Sequence, residues 1–178
     1  MKFAVFFRNV NLGRANCPSK AQLEQAFLDA GAAEAASFLV NGTLVFSAPA
    51  NRSAGVLKSA VQQLQQVCGL KEPAFLRRVD ELAALVAADP FAGIEREQVY
   101  ECCITFLSPR SPDLPALPLH SRRGDVAVLS CNGREAFSLS YKIGNTPGSP
   151  NALLEKTLAL PATTRAWNTI VRLVARHA

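Results

Sequence analysis

Apolar residues fall along this chain in two rhythms. Short unbroken runs rich in Val and Phe predict buried strands, and an apolar residue at every third or fourth position predicts a helix. "KFAVFFR" at 2–8 is of the first kind, and the polar, Gly- and Pro-containing "NVNLGRANCPS" after it predicts a loop. Ser19 is placed to cap a helix in which Leu23, Ala26, Phe27 and Ala30 share one face and Gly31 is the stop. "SFLV" and "TLVFSA" flank Asn41-Gly42, a pair that tolerates positive φ and so predicts a hairpin. A second helix from about Arg52 carries Leu57, Val61, Leu64 and Cys68 along one stripe and ends at Gly69. "AFLRRV" predicts another strand. The resulting order, β-α-β-β-α-β, is the split arrangement of ferredoxin-like folds.

Past that point the same patterns continue less regularly. "DELAALVAADPF" predicts a short helix with Asp80 as cap and Pro90 as stop, and "VYECCITFLS" a second long apolar strand. Prolines at 109, 112, 115 and 118 argue against a regular helix in the next segment. "DVAVLSC" and "EAFSLSY" flank Asn132-Gly133, a second hairpin signal. "GNTPGSPN" at 144–151 predicts a loop ending in a Ser149 cap with Pro150 at the first helical position, where weak anion binding is the alternative use. "NALLEKTLALPATTRAWNTIVRL" from Asn151 then predicts a closing pair of helices. In the last of them Trp167, Ile170, Val171 and Val174 form the apolar stripe, with Arg165, Arg172 and Arg176 on the opposite, solvated face. The expected fold class is α+β: two ferredoxin-like subdomains, the second a degenerate copy of the first, followed by the helix pair. The expected division is 1–79 and 80–178, forming one unit.

Composition narrows the function classes by exclusion. Apolar residues make up 49% of the chain, enough for a substantial core. The net charge of +5 permits phosphate or acidic partners, but only Arg77-Arg78 and Arg122-Arg123 are adjacent basic pairs. No apolar stretch reaches the length of a membrane span, and the start lacks a secretory pattern, so a cytoplasmic protein without membrane contact is expected. Cys17, Cys68, Cys102, Cys103 and Cys131 show no C-x-x-C spacing and read as small core residues in a reducing compartment. His120 and His177 are the only histidines, and no metal-ligand spacing surrounds them, so neither metal nor cofactor is expected. No nucleophile elbow, zinc-protease pair or phosphate-loop lysine is present.

The C-terminal run resembles that of the domain-of-unknown-function 1697 family of small bacterial proteins. Members typically end close to N-A-L-L-E-K-x-L-G-V-P-A-T-x-R-N-W-N-T-x-x-K-L, matched here by Asn151 to Lys156, Leu158, Pro161 to Thr163, Arg165 and Trp167 to Thr169. "ELAALVAADPF" at 81–91 and the opening strand with Arg8 add to the resemblance. After that strand the family usually has R-G-I-N-V-G-G-x-N. Here Arg8, Asn11, Gly13 and Asn16 match, while Asn9 and Arg14 replace glycines. The usual S-G-N of the first hairpin is N-G-T at 41–43. The resemblance implies the same two-subdomain α+β fold and no activity.

Three functions compete. The first is a binding module for a small anion, nucleotide or nucleic acid. Its candidate residues are Arg8, Asn11, Gly13, Arg14, Asn16 and Lys20 in the loop after the first strand, with Asn41, Gly42 and Asn168 nearby. The second is a module for protein partners that dock on a sheet edge or apolar patch. The third, an enzyme with Arg8 and Lys20 as electrostatic groups, is weakened by the lack of a credible nucleophile or general base. The sequence leaves the oligomeric state open.

Overall fold

In the computed structural model, which describes residues 1–178, the opening apolar run becomes β1 (Lys2–Phe7). It is followed by α1 (Lys20–Asp29), β2 (Glu34–Leu39), β3 (Thr43–Ser47), α2 (Ser53–Cys68) and β4 (Ala74–Arg78). These strands form one antiparallel sheet in the order β2-β3-β1-β4. β1 therefore lies inside the sheet, with a neighbour on each edge. Phe3, Val5 and Phe7 join Leu23, Phe27, Leu44, Phe46 and Leu64 in one core, while Ala4 and Phe6 between them are fully buried as well. Burial on both faces is why this strand reads as a continuous apolar run. Each such side chain removed from water contributes about 1.5–3 kcal/mol, so this core is the main anchor of everything attached to β1.

The helix signals translate into real caps. The Ser19 hydroxyl accepts from the Gln22 amide at 3.1 Å, and the Gln22 side chain accepts from the Ser19 amide at 2.8 Å, a full capping box. Gly69 ends α2 in the left-handed region at φ +71°. The stripe of α2 is rotated from expectation: Ser53, Val56, Ala60 and Leu64 are buried, whereas Leu57, Val61 and Cys68 pack only partly against the core. Small residues at 53 and 60 let the helix approach closely, which a count of large apolar residues misses. The first hairpin turns at Gly42, where φ is +73° and a Cβ would lie 2.7 Å from Val10 Cβ. Only glycine fits that turn.

The chain divides into two compact units, residues 1–83 with 176–178 and residues 84–175. The break falls within α3 (Val79–Ala88), which begins directly after β4 with no loop. Asp80 sits in the first turn of this helix instead of preceding it, and its carboxylate accepts from the Glu81 amide and pairs with Arg78. The second unit continues with β5 (Glu101–Phe106), β6 (Leu119–His120), β7 (Val126–Cys131) and β8 (Glu135–Ser140). A two-residue ribbon of β9 (Lys142–Ile143) and β10 (Thr146–Pro147) precedes α4 (Pro150–Leu158), β11 (Thr163–Ala166) and α5 (Trp167–His177). Its antiparallel sheet runs β11-β5-β8-β7-β6.

Strand β11 corrects the expectation of two consecutive closing helices. Four residues are too few to show an alternating pattern, and the strand exists because β5 offers it a partner, with Arg165 opposite Ile104 and Thr164 opposite Thr105. The threonine pair is joined by a 2.7 Å hydrogen bond. Arg165 consequently does not lie on the solvated face of the last helix. It is buried in β11, where its guanidinium donates to the Thr163 hydroxyl at 2.8 Å and the Thr164 carbonyl at 2.9 Å. Burial pushes it down to about 10, still protonated at neutral pH. In α5 the buried positions are Trp167, Thr169, Ile170 and Leu173, so Leu173 takes the place expected for Val174. The Trp167 ring meets Phe91 and Phe137 edge-on at 5.5 and 6.0 Å, the geometry aromatic quadrupoles favour.

Candidate functional site

The loop after β1 is tied down by a series of backbone hydrogen bonds, which suits its Asn, Gly and Pro content. The Arg8 amide donates to Pro73, that of Leu12 to Val40, that of Gly13 to Pro18, and that of Arg14 to Asn11. Asn9 and Asn16 take left-handed φ values of +52° and +57°, a region asparagine enters more readily than most residues. The Phe7 amide donates to the Gly42 carbonyl, and the Asn41 side chain accepts from the Thr43 hydroxyl. The first-strand loop and the first hairpin therefore form one packed cluster, with Asn16 on the side of Gly69 and Gly13 and Lys20 on the side of Ser37 to Val40.

Within that cluster the cations differ. Arg8 is committed: its Nη1 lies 2.7 Å from Glu72 Oε2, and both side chains are about a quarter to a third exposed. Asn9 Nδ2 reaches the same carboxylate at 3.4 Å. Arg8 thus pins the root of the loop instead of facing solvent as a free anion receptor. Arg14 and Lys20 are exposed, and Lys20 Nζ stands 3.9 Å from Glu24 Oε1, too far for a tight pair. Glu24 is otherwise occupied, accepting from the Ser37 amide at 2.7 Å.

Two clefts flank the loop. One, of about 320 Å³, includes Asn9, Asn16, Lys71 and Glu72 and lies by the C-terminal end of α2 at Gly69, where helix carbonyls disfavour anions. The other, of about 390 Å³, runs between Leu12, Gly13, Ser19 and Lys20 on one side and Ser37 to Val40 on the other. It contains the N-terminal end of α1. The capping box uses the Ser19 and Gln22 amides and leaves those of Lys20 and Ala21 for an outside acceptor.

Asn168 is not part of this cluster. It lines a larger cavity of about 520 Å³ in the second unit, with Val86, Asp89, Arg96, Val99, Tyr100, Glu101, Cys102, Trp167 and Val171. Arg96 and Glu101 were not legible as site residues, because Arg96 lies in the charged run Glu95-Arg96-Glu97 and Glu101 at the start of an apolar strand run, and neither belongs to a recognisable motif. Cys102 and Cys103 are buried and unbonded. Burial pushes the Cys103 thiol up to about 12, and it raises that of Cys102 too, which keeps both protonated and poor nucleophiles at neutral pH. No three His, Cys, Asp or Glu side chains converge as a metal site, and no helix is long and apolar enough to cross a membrane. At 144–151, Ser149 caps α4 by accepting from the Ala152 amide, with Pro150 as its first residue.

The family described as "Protein of unknown function (DUF1697)" matches residues 1–137, which takes in β1, the loop, the first hairpin and the strands through the first half of β8. The chain belongs to the DUF1697 family. Its C-terminal run, Asn151 to Thr169, lies beyond the matched residues. A solved structure of a conserved bacterial protein from Streptococcus pneumoniae is similar over 98% of this chain and 97% of its own, with a TM-score of 0.59 and 16% identity. At that identity the likeness establishes a shared α+β fold and nothing about activity. No curated protein matches the chain. Membership in DUF1697 carries no specific function with it.

Proposed function

We propose that this member of the DUF1697 family is a binding module for a small phosphate-bearing ligand of nucleotide type, seated in the cleft between the first-strand loop and β2. The observation that carries this reading is the pairing of two chemistries across one cleft. Lys20 and the free amides at the start of α1 stand on one side, and Phe38, Leu39 and Val40 on the other. A phosphate suits the first and a flat base the second. Arg8, Asn9, Asn41 and Gly42 act as positioning residues, and Arg14 adds charge at the rim. Asn168 has no part in it.

The strand order β2-β3-β1-β4 supports a ferredoxin-like first subdomain. The order β11-β5-β8-β7 supports a second, degenerate copy, with α4 standing for α2 and the proline-rich segment for α1. Buried Arg77 and Arg165 strengthen this. Each lies two residues before the helix that follows its strand, and each donates from Nη1 to the carbonyl of the preceding residue. We place the subdomain boundary at 79/80 and the protein in the bacterial cytoplasm.

Calorimetric titration with a nucleoside 5′-monophosphate, the bare nucleoside and inorganic phosphate tests the reading. The monophosphate should bind best, and Lys20→Glu should weaken it at least tenfold while Arg172→Ala changes it less than twofold. Equal binding by wild type and Lys20→Glu would overturn the assignment. A protein-docking role is the second reading, favoured by β2 being an edge strand and Val40 being 67% exposed beside it.

A further inference from the structure

Between β5 and β6 runs "SPRSPDLPALP" at 108–118, with a proline at every third position from Pro109 to Pro118. Each ring fixes its own φ near about −65° and holds the residue before it extended. Burial follows the same period of three. Ser111 and Leu114 are half-buried, whereas Pro112, Asp113, Pro115 and Ala116 are exposed. Leu114 packs against the core of Val126, Val128, Ala136 and Leu154, and the Ser111 hydroxyl is buried beneath the segment. Residues 112–117 make no backbone hydrogen bond within the chain. Three residues per turn without internal hydrogen bonds describes a polyproline II helix, here a short one over 111–115. Both its ends are fixed. The Ser111 amide donates to the Ser108 carbonyl at 2.9 Å, and Leu119 enters β6 opposite Val128.

We infer that this segment is a docking ridge for a different protein, one that reads polyproline II helices through a groove of parallel aromatic side chains. Pro112 and Pro115 stand on one open edge, about 9 Å apart at a rise of ~3.1 Å per residue, so each ring enters its own slot between Trp or Tyr side chains. The unpaired carbonyls along the ridge accept from the indole N–H and phenol O–H groups of such a groove. Asp113 stands on the second open edge and forms no ion pair within the chain. It meets a basic residue on the groove rim, which sets the direction of docking. A loose proline-rich chain loses its freedom when it docks, whereas this one is already held at Ser111, Leu114 and Leu119. A second copy of the chain cannot supply the groove, because Tyr100 is its only exposed aromatic residue.

Calorimetry of the full chain against a panel of isolated SH3 and WW domains tests the ridge, with sedimentation of the chain alone run in parallel. At least one domain should bind with a Kd below about 100 μM. Pro112→Ala combined with Pro115→Ala should weaken that binding at least tenfold, and Asp113→Lys should weaken it at least threefold. Each single proline variant should lose at least threefold, so a folding defect of the double variant would not hide the effect. Pro161→Ala, at an exposed proline outside the segment, should change the affinity less than twofold. No binding by any domain of the panel would overturn the inference. So would equal binding by wild type and the double variant, or self-association of the wild type that the double variant loses.

Discussion

Ala159 closes α4 with φ +54°, a left-handed conformation that costs an L-residue roughly 1–2 kcal/mol and glycine almost nothing. The family run that this chain resembles has glycine at that place. Asn9, at φ +52°, likewise stands where the family loop has glycine, but an asparagine side chain tolerates that region and here also reaches Glu72. Of the two departures, only Ala159 is strained. Ala159→Gly should therefore stabilise the protein by about 1 kcal/mol, less the small entropic cost of glycine in the unfolded chain. Scanning calorimetry should show a melting temperature raised by about 2–4 °C. An unchanged or lowered midpoint would mean that the strain is relieved elsewhere. Arg14 shows the limit of the comparison, since it too replaces a family glycine yet its φ is not positive.

Two junctions give the elements their positions: β4 runs straight into α3, and β11 runs straight into α5. With no loop to absorb error, the first helical side chain fixes the exit angle, and in both cases it is buried: Val79 and Trp167. Trp167 also completes an aromatic trio with Phe91 and Phe137. Its truncation to alanine should cost about 3–5 kcal/mol, as other large core deletions do. Urea unfolding measures this directly. A loss below about 1 kcal/mol would mean that β11 and α5 are held by their hydrogen bonds and not by this anchor. The helix ends and both hairpin turns were legible because each rests on local chemistry, at Ser19, Gly42, Gly69, Asn132 and Gly133, whereas the buried faces of α2 and α5 were read only in part. The Asn132 side chain, for example, accepts from the Arg134 and Glu135 amides. β11 was not legible, because its reason to be extended is a partner strand nearly sixty residues away.

At the scale of the whole molecule, the net charge of +5 divides into +4 on the first unit and +1 on the second, and Arg8, Arg78 and Arg123 each face a carboxylate. Such a distribution predicts duplex DNA binding weaker than about 1 μM at 0.15 M salt, falling steeply as salt rises. Fluorescence anisotropy over a salt series would show it, and tight, salt-resistant binding would point instead to a defined nucleic-acid surface. By itself the sequence determined the α+β class, the order of elements in the first half, the aromatic anchor and the loop in which Asn11, Gly13 and Lys20 gather. Each of these is written in neighbouring residues, through capping, turn chemistry or a helical repeat. The tertiary structure alone decided that Arg8 is spent on Glu72, that Arg165 is buried in a strand, and that Asn168 belongs to a cavity with Arg96 and Glu101. Those facts depend on which distant residues meet, and a charge in a sequence carries no mark of the partner or the empty space that folding brings to it.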